Sequence, residues 1–323
     1  MSKAIRIHAN GGPEVMKWED IPTPDPGPGE ALIKQEAVGL NYIDVYFRTG
    51  LYKAPNMPLI IGQEGAGTVT SVGSGVTDLK AGDRVAYVGA LGGYATDRVI
   101  QADKLVKLPA AIDFKTGASM MLQGMTAQYL LHRTNRVKAG DTIVVHAAAG
   151  GVGSIMCQWA KHIGATVIGV VSSDAKAELA RANGAQHTVV GYTNLVAEVK
   201  RITGGAMVPV VYDSVGKDTF ATSLDCLAPL GLMICYGAAS GPVPPFDLGV
   251  LAAKGSLFLT RPTLATYTAK TADLRIVSAS LFDVVASGAV KIQVNQTYAL
   301  KDAAAAHIAL ESRKTTGSTV LIP

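Results

Sequence analysis

The stretch Thr142-Ile143-Val144-Val145-His146-Ala147-Ala148-Ala149-Gly150-Gly151-Val152-Gly153 decides how this chain is built. Its first seven residues form a nearly continuous apolar run, the pattern of a strand buried on both faces. Ala148-Ala149-Gly150-Gly151-Val152-Gly153 then follows G-x-G-x-x-G with alanine in the first glycine slot, and residues 151–163 read as the helix it opens. Small residues there permit a tight turn and close backbone approach to a pyrophosphate. The helix N-terminus adds free N–H groups and a positive dipole for that anion. Alone, the spacing describes any tight strand–helix turn, so its neighbours have to carry the reading.

They do. Downstream, strands at 166–172, 187–190 and 208–213 alternate with helices at 174–183, 195–203 and 217–228. The last helix is expected to place Phe220, Leu224 and Leu227 on one face. Strands at 232–236 and 256–260 close the series. Such alternation implies a parallel sheet covered on both sides, a Rossmann-type dinucleotide unit. Two helices, 113–121 and 126–133, lead into it.

The first third has a different style. Short strands at 4–8, 15–20, 31–37, 68–72, 83–88, 94–100 and 105–108 are separated by Gly73-Ser74-Gly75, Ala81-Gly82-Asp83 and Gly92-Gly93. Prolines 22, 24, 26 and 28 exclude helix and central strand, and mark a stiff surface loop. Closely spaced strands without long helices between them imply an antiparallel, barrel-like unit. The tail offers an amphipathic helix at 272–287 ending at Gly288, a strand at 290–294, a helix at 302–312 and a strand at 318–322. These most simply rejoin the first domain. The expected fold class is therefore α/β, with a β-rich domain from residues 1–124 and 263–323 and a parallel-sheet domain from residues 125–262.

Composition narrows the function. Of 323 residues, 48% are hydrophobic and 17% charged, which excludes disorder. The 35 glycines are roughly 11% of the chain, against about 7% on average, and suit many tight turns. The net charge of +4 is a weak excess with no basic stripe, an argument against nucleic acid as a partner. Three cysteines with no C-x-x-C exclude a disulfide scaffold and a four-cysteine zinc site. No signal-type h-region and no run of 18 apolar residues are present. A soluble cytoplasmic protein is expected.

The second strand of the dinucleotide unit chooses the cofactor. An NAD site carries an acid at its end for the ribose 2′-hydroxyl. Here it ends Val171-Ser172-Ser173, followed by Asp174, Ala175 and Lys176. Small hydroxyls and a lysine suit a 2′-phosphate, so NADPH is expected. Asp174 is read as an N-cap of the following helix.

At this point the chain resembles a known family. Gly140-Asp141, the Ala148–Gly153 loop, Gln158 and Lys161 resemble the signature of zeta-crystallin-type quinone oxidoreductases, within the medium-chain dehydrogenase/reductase superfamily. Gly39-Leu40-Asn41-Tyr42-Ile43-Asp44-Val45-Tyr46, Val211-Tyr212-Asp213-Ser214-Val215-Gly216 and Leu310-Glu311-Ser312-Arg313 extend the likeness over essentially the whole chain. Val144 stands where the signature usually has leucine. The resemblance implies a GroES-like domain from both chain ends, a Rossmann domain between them, and a homodimer joined through Rossmann edge strands, here 256–260. It also implies a cofactor site lined by Asn41, Thr126, Gly150, Gly151, Val152, Gly153, Ser172, Ser173, Lys176, Tyr192, Ser214, Gly237, Phe258, Thr260 and Arg313.

Departures from zinc-dependent relatives are as informative. Their Gly-His-Glu motif is Gly62-Gln63-Glu64 here, and no cysteine precedes Cys157. The six histidines show no pair at ligand spacing, so no metal is expected. Without a Lewis acid, alcohol oxidation lacks its usual route, whereas an electron-poor quinone needs none. The implied activity is NADPH-dependent quinone reduction in the cleft between the domains. Tyr46 and Tyr52 resemble family residues at the quinone pocket, and Asn41 is a candidate hydrogen-bond partner of the acceptor carbonyl or of the cofactor ribose. No Ser-His-Asp set is recognisable, and covalent catalysis by Cys157 inside a helix is not expected. Reduction of enals or enones is the alternative. A crystallin-like or RNA-binding role is a distant third.

Overall fold

The computed structural model describes residues 1–323 apart from Pro24, Ala54, Pro55, Arg313 and Lys314. The chain divides into two compact units. One comprises Met1–Met125, Thr268–Ala286 and Ile292–Pro323; the other comprises Thr126–Tyr267 and Ser287–Lys291.

The first unit opens with β1 (Ser2–Ile7) and β2 (Met16–Ile21), then β3 (Glu30–Leu40), α1 (Tyr42–Thr49), β4 (Leu59–Ile60) and β5 (Glu64–Val72). β6 (Arg84–Val88), β7 (Asp97–Gln101) and β8 (Leu105–Lys107) follow, and α2 (Phe114–Tyr129) runs across the boundary. The larger sheet has the order β15 (Val294–Ala299), β16 (Ser318–Ile322), β3, β5, β6, β8, with β7 also on β3, while β1 pairs β2 and β4. Alternate residues of β3, such as Ala31, Ile33 and Ala37, point into the core. Gln35, on the same face, is fully paired: its Nε2 donates to the carbonyls of Gly93 (2.6 Å) and Ala95 (2.7 Å), and its Oε1 accepts from the Tyr87 hydroxyl.

In the second unit β9 (Thr142–His146), α3 (Gly151–Ile163), β10 (Thr166–Val171), α4 (Asp174–Ala182), β11 (His187–Val190) and α5 (Leu195–Ile202) alternate. They are followed by β12 (Val208–Asp213), α6 (Phe220–Asp225), β13 (Leu227–Cys235), α7 (Gly249–Ala253), β14 (Phe258–Thr260) and α8 (Leu264–Tyr267). The sheet order is β11-β10-β9-β12-β13-β14 and every pairing is parallel. This is the doubly wound order, whose direction reverses beside β9. α9 (Thr271–Ala286), β15 (Val294–Ala299), α10 (Ala303–Glu311) and β16 (Ser318–Ile322) return to the first unit.

Several expectations are corrected. The segment after β3, for which no element was expected, is a helix, α1, capped by Asn41 and closed by Gly50 at φ +83°. The two helices expected at 113–121 and 126–133 are one, α2, continuing as a wider π-type turn over Leu130–Thr134. Gly124 does not break it; the missing Cβ admits Leu281 of α9, whose Cδ1 would lie 2.5 Å from such an atom. The helix expected at 217–228 shrinks to α6, and Leu227 begins β13 instead. The strand expected at 290–294 is β15, starting at Val294. Before it, Lys291 exchanges backbone bonds with the Gln158 amide at 2.8 and 3.1 Å, which ties 287–291 to the second unit. Tyr267 is held there too, stacked on Tyr129 with ring centroids 4.4 Å apart. The two compact units divide at Met125/Thr126 and Tyr267/Thr268.

Candidate functional site

The loop after β9 has the geometry of a phosphate cradle. Ala147 takes the left-handed conformation at φ +50°, and Gly150 N–H donates to its carbonyl at 2.8 Å. Gly150 then caps α3 with extended backbone. A Cβ on Gly153 would stand 2.2 Å from the Ala147 carbonyl oxygen and 2.8 Å from Ala148 Cα. Only glycine lets the helix sit this close to the strand end. The first turn of α3 leaves its N–H groups without intrahelical partners, directed outward where a pyrophosphate would lie.

Neighbouring strand ends bring further candidates to the same edge of the sheet. Ser172 and Ser173 follow β10 and are exposed; Lys176, one turn on in α4, is half-buried. Ser173, not Asp174, is the N-cap: its Oγ accepts the Lys176 N–H at 3.4 Å, while Asp174 is the first helical residue. Tyr192 follows β11, positioned by Gly191 N–H donating to the Val171 carbonyl at 2.8 Å. Ser214 and Gly237 follow β12 and β13, and a Cβ on Gly237 would meet the Ser214 oxygen at 2.5 Å. Thr260 ends β14, and Phe258 begins it, 60% exposed. Thr126 lies in α2. Arg313 lies outside the described residues. Hydroxyls, a lysine and glycines that permit close approach fit an adenine dinucleotide bearing a 2′-phosphate.

A buried chain ties the flanking loops together. Asp213 accepts from Val215 N–H (2.7 Å), Gly216 N–H (3.0 Å), Thr219 Oγ1 (2.7 Å) and Ser223 Oγ (2.8 Å). This drawn-in turn delays the helix and is why α6 starts late. Ser223 Oγ is 2.9 Å from His146 Nε2 and has spent its proton on Asp213, so the imidazole Nε2–H donates to it. Serine, histidine and aspartate thus do meet, contrary to the sequence expectation. All three are fully buried, and the serine donates to the carboxylate, not to the imidazole. The chain braces the His146–Ala147 turn and is no nucleophile. Cys157 is equally inert: burial pushes its thiol up to about 12.

The first unit carries the acceptor-side candidates. Tyr46 on α1 lies with its ring centroid 5.2 Å from that of Tyr52 and 5.5 Å from that of Tyr42, a residue the sequence reading passed over. Phe47 packs edge-on against Tyr52 at 5.7 Å. Asn41, nearly buried, donates its backbone N–H to Asp44 Oδ2 at 2.9 Å and its Nδ2 to Glu64 Oε2 at 2.5 Å. Asp44 Oδ2 also accepts the Tyr94 hydroxyl at 3.1 Å, which is 3.0 Å from His307 Nε2. Arg48 Nη1 meets His307 Nδ1 at 3.0 Å, and Arg48 Nη2 reaches both Glu311 oxygens at 2.9 Å. Burial pushes Asp44 up to about 7 and Glu64 up to about 8. Burial and the Arg48 charge push His307 down to about 3, so it is neutral. None of Asp44, Arg48, Glu64, Tyr94 and His307 was singled out from the sequence for a role. The one legible signal was Asn41-x-x-Asp44 before Gly50, a capping pattern.

Among the described residues no group of three or more His, Cys, Asp or Glu could hold a metal ion, and no helix is long and apolar enough to cross a membrane. The alcohol dehydrogenase GroES-like domain family matches residues 27–110, and the zinc-binding dehydrogenase family matches residues 151–275. A quinone oxidoreductase of Pseudomonas aeruginosa is 51% identical, with all of both chains covered. A 2-haloacrylate reductase of Burkholderia sp. is 46% identical over 100% of this chain and 99% of its own. The solved structure of Escherichia coli quinone oxidoreductase complexed with NADPH is 48% identical, superposes with a TM-score of 0.97, and covers 99% of this chain and 100% of its own. With that identity over the full length and both domain types in place, the chain belongs to the quinone oxidoreductase family of the medium-chain dehydrogenase/reductase superfamily.

Proposed function

We propose that the protein passes reducing equivalents from NADPH to a quinone, without a metal, as a cytoplasmic homodimer. The observation that carries this reading is the glycine cradle at the reversal point of the doubly wound sheet, with Ser172, Ser173 and Lys176 beside it, in a chain of this family. When bound, NADPH supplies the reducing equivalents. Gly150, Gly151, Val152 and Gly153 hold its pyrophosphate, and Ser172, Ser173, Lys176 and Tyr192 hold the 2′-phosphate, with Arg313 as a further cation. Thr126, Ser214, Gly237, Phe258 and Thr260 complete the cofactor residues. Asn41, Tyr46 and Tyr52 serve the acceptor: the tyrosine rings stack on it, and Asn41 donates to its oxygen. The edge position of β14 suits pairing with a second copy, and a solution mass of a monomer would defeat that part.

Steady-state NADPH oxidation with several quinones, beside 2-haloacrylate and an enone, tests the activity. The 46% identity to a 2-haloacrylate reductase favours activated alkenes as the second reading. Alkene turnover far above that of every quinone would make it the first. An RNA-binding role is disfavoured by the weak net charge of +4, and salt-dependent retention of labelled RNA would revive it.

Turnover is expected to survive exhaustive chelation, because Gln63 stands where zinc-dependent relatives carry histidine. Activity lost to EDTA and restored specifically by zinc contradicts this. Tyr46→Phe and Tyr52→Phe are expected to slow turnover by about tenfold or less, since an electron-poor acceptor needs little acid assistance. Tyr→Ala at either position should cost more by removing the stacking wall. Abolished turnover in Tyr46→Phe with normal NADPH binding would instead make that hydroxyl an obligatory proton donor.

A further inference from the structure

The Asn41 side chain sits in a run of hydrogen bonds, buried at Glu64, Asn41 and Ser318 and half-buried at Gln123, whose direction is set at one end. Glu64 Oε1 accepts the Leu122 N–H at 2.9 Å, and Oε2 accepts Asn41 Nδ2 at 2.5 Å. Asn41 Oδ1 accepts Gln123 Nε2 at 3.1 Å, and Gln123 Oε1 accepts Ser318 Oγ at 2.8 Å. Ser318 Oγ also lies 3.3 Å from the Ser119 carbonyl oxygen. Every link points toward Glu64, because a carboxylate only accepts.

We propose that Glu64 is a positioning residue for Asn41, and that a proton on its Oε2 decides which end of the Asn41 amide faces it. The Leu122 N–H is a fixed donor, so Oε1 stays an acceptor and a proton settles on Oε2. Oε2 then donates, and Asn41 turns its amide to present Oδ1. Its Nδ2 now faces Gln123, which turns to present Oε1. Gln123 Nε2 donates to Ser318 Oγ, whose own proton goes to the Ser119 carbonyl already beside it. All links are satisfied in both directions, and the two ends of each amide are nearly equal in size, so no repacking is needed. The run has two arrangements separated by one proton.

The surroundings place that proton near neutral pH. Glu64 is fully buried on β5, and Gly39 of β3 leaves it room: a Cβ there would stand 2.7 Å from Oε2. The charge facing Glu64 is that of Asp44 on α1, of like sign. Tyr87 on β6 is uncharged at neutral pH, and Arg98 on β7 lies over the Tyr87 ring and donates to the carbonyls of Ala90 and Leu91. Burial, reinforced by Asp44, pushes Glu64 up to about 8.

The consequence for turnover rests on the reading above that Asn41 meets the acceptor. Reduction places negative charge on the acceptor oxygen, whether one or two electrons pass. A neutral Glu64 with its amide run reversed favours that charge over an ionised one. Wild-type kcat with a quinone should therefore fall roughly 2- to 10-fold as pH rises through the Glu64 transition, the range of one modest hydrogen-bond change. In Glu64→Gln, Oε1 accepts from Leu122 and Nε2 donates to Asn41, which holds the protonated arrangement; kcat should stay on the high plateau across the range. Gln123→Glu, acceptor-only at the far end, should draw Asn41 Nδ2 toward itself and flatten the profile likewise. The preference for NADPH over NADH should not move in either variant, because no residue of the run belongs to the 2′-phosphate set. A Glu64→Gln enzyme that keeps the wild-type fall overturns the proposal.

A binding-independent readout guards against variants that do not fold and against a mistaken activity. In wild-type protein with labelled side chains, the Glu64 carboxyl carbon and the Asn41 and Gln123 amide nitrogens should titrate with one midpoint by NMR. Carboxyl titration without amide movement, or no titration of Glu64, overturns the proposal. Failure of every quinone to be reduced, with the coupled titration intact, would sink the proposed function and leave the Glu64–Asn41 device standing.

Discussion

Arg48→Ala is expected to lower the stability of the first unit by about 2–4 kcal/mol, from lost stem packing and from the Gly11 and His307 acceptors left without their donor. Arg48 is 1% exposed, and its guanidinium is shared among both Glu311 oxygens, His307 Nδ1 and, through Nε at 3.2 Å, the Gly11 carbonyl. Glu311 is one-third exposed and can rehydrate, whereas His307 Nδ1 cannot. Arg48→Met refills the stem volume but leaves the same acceptors unpaired, so it should cost less than alanine without being neutral. Glu311→Ala leaves a cation buried without its counter-charge and should also destabilise. Urea midpoints of the three variants check this order, and an unchanged midpoint in Arg48→Ala would show the cluster to be energetically idle. Because Arg48 closes the last turn of α1, its loss should raise KM for the quinone and leave NADPH affinity alone. The pH dependence has a definite sign. His307 is held below its ordinary 6.5, at about 3, so its contribution is full above pH 6.5 and drains away as pH falls toward 3.

Lys176→Ala is expected to weaken NADPH by roughly 10- to 150-fold and NADH hardly at all. The two cofactors differ only by the 2′-phosphate, and a charge-assisted hydrogen bond contributes about 1.5–3 kcal/mol. Lys176 is half-buried in the first turn of α4, directly after the Ser173 cap, where the helix dipole also favours an anion. Rising salt should erode NADPH binding more than NADH binding. Paired titrations of both cofactors on wild type, Lys176→Ala and Arg313→Ala decide the matter. Equal losses for the two cofactors would make these residues supports of the fold, and unchanged NADPH binding would remove them from the phosphate site.

The physical reach of each signal explains which parts of the molecule were legible. The β9 run, the Ala148–Gly153 loop and the strand–helix alternation after it are local patterns, and each appears in the structure at nearly the expected residues. Hydrophobic periodicity failed where a polar side chain claimed the backbone. Phe220, Leu224 and Leu227 have helical spacing, yet the Asp213 carboxylate gathers Val215, Gly216 and Thr219 into a turn and leaves only Phe220–Asp225 for α6. Val290 looks like the start of a strand, but the Gln158 amide claims Lys291 and moves β15 to Val294. Helix α1 was missed for the opposite reason: its Asn41–Asp44 cap was present and local, but the strands around it drew the reading.

By itself, the sequence determined the two-domain α/β plan, the phosphate loop and the bias toward a 2′-phosphate, because these rest on glycine geometry, hydrophobic period and charge within a few residues. Only the tertiary structure decided which polar groups meet. Arg48 reaches Glu311 and His307 from the far end of the chain, Asn41 finds Glu64 and Gln123, and Ser223 finds His146. A buried charge or amide must be satisfied by whatever the fold brings beside it, and that partner's identity is not written in its sequence neighbours.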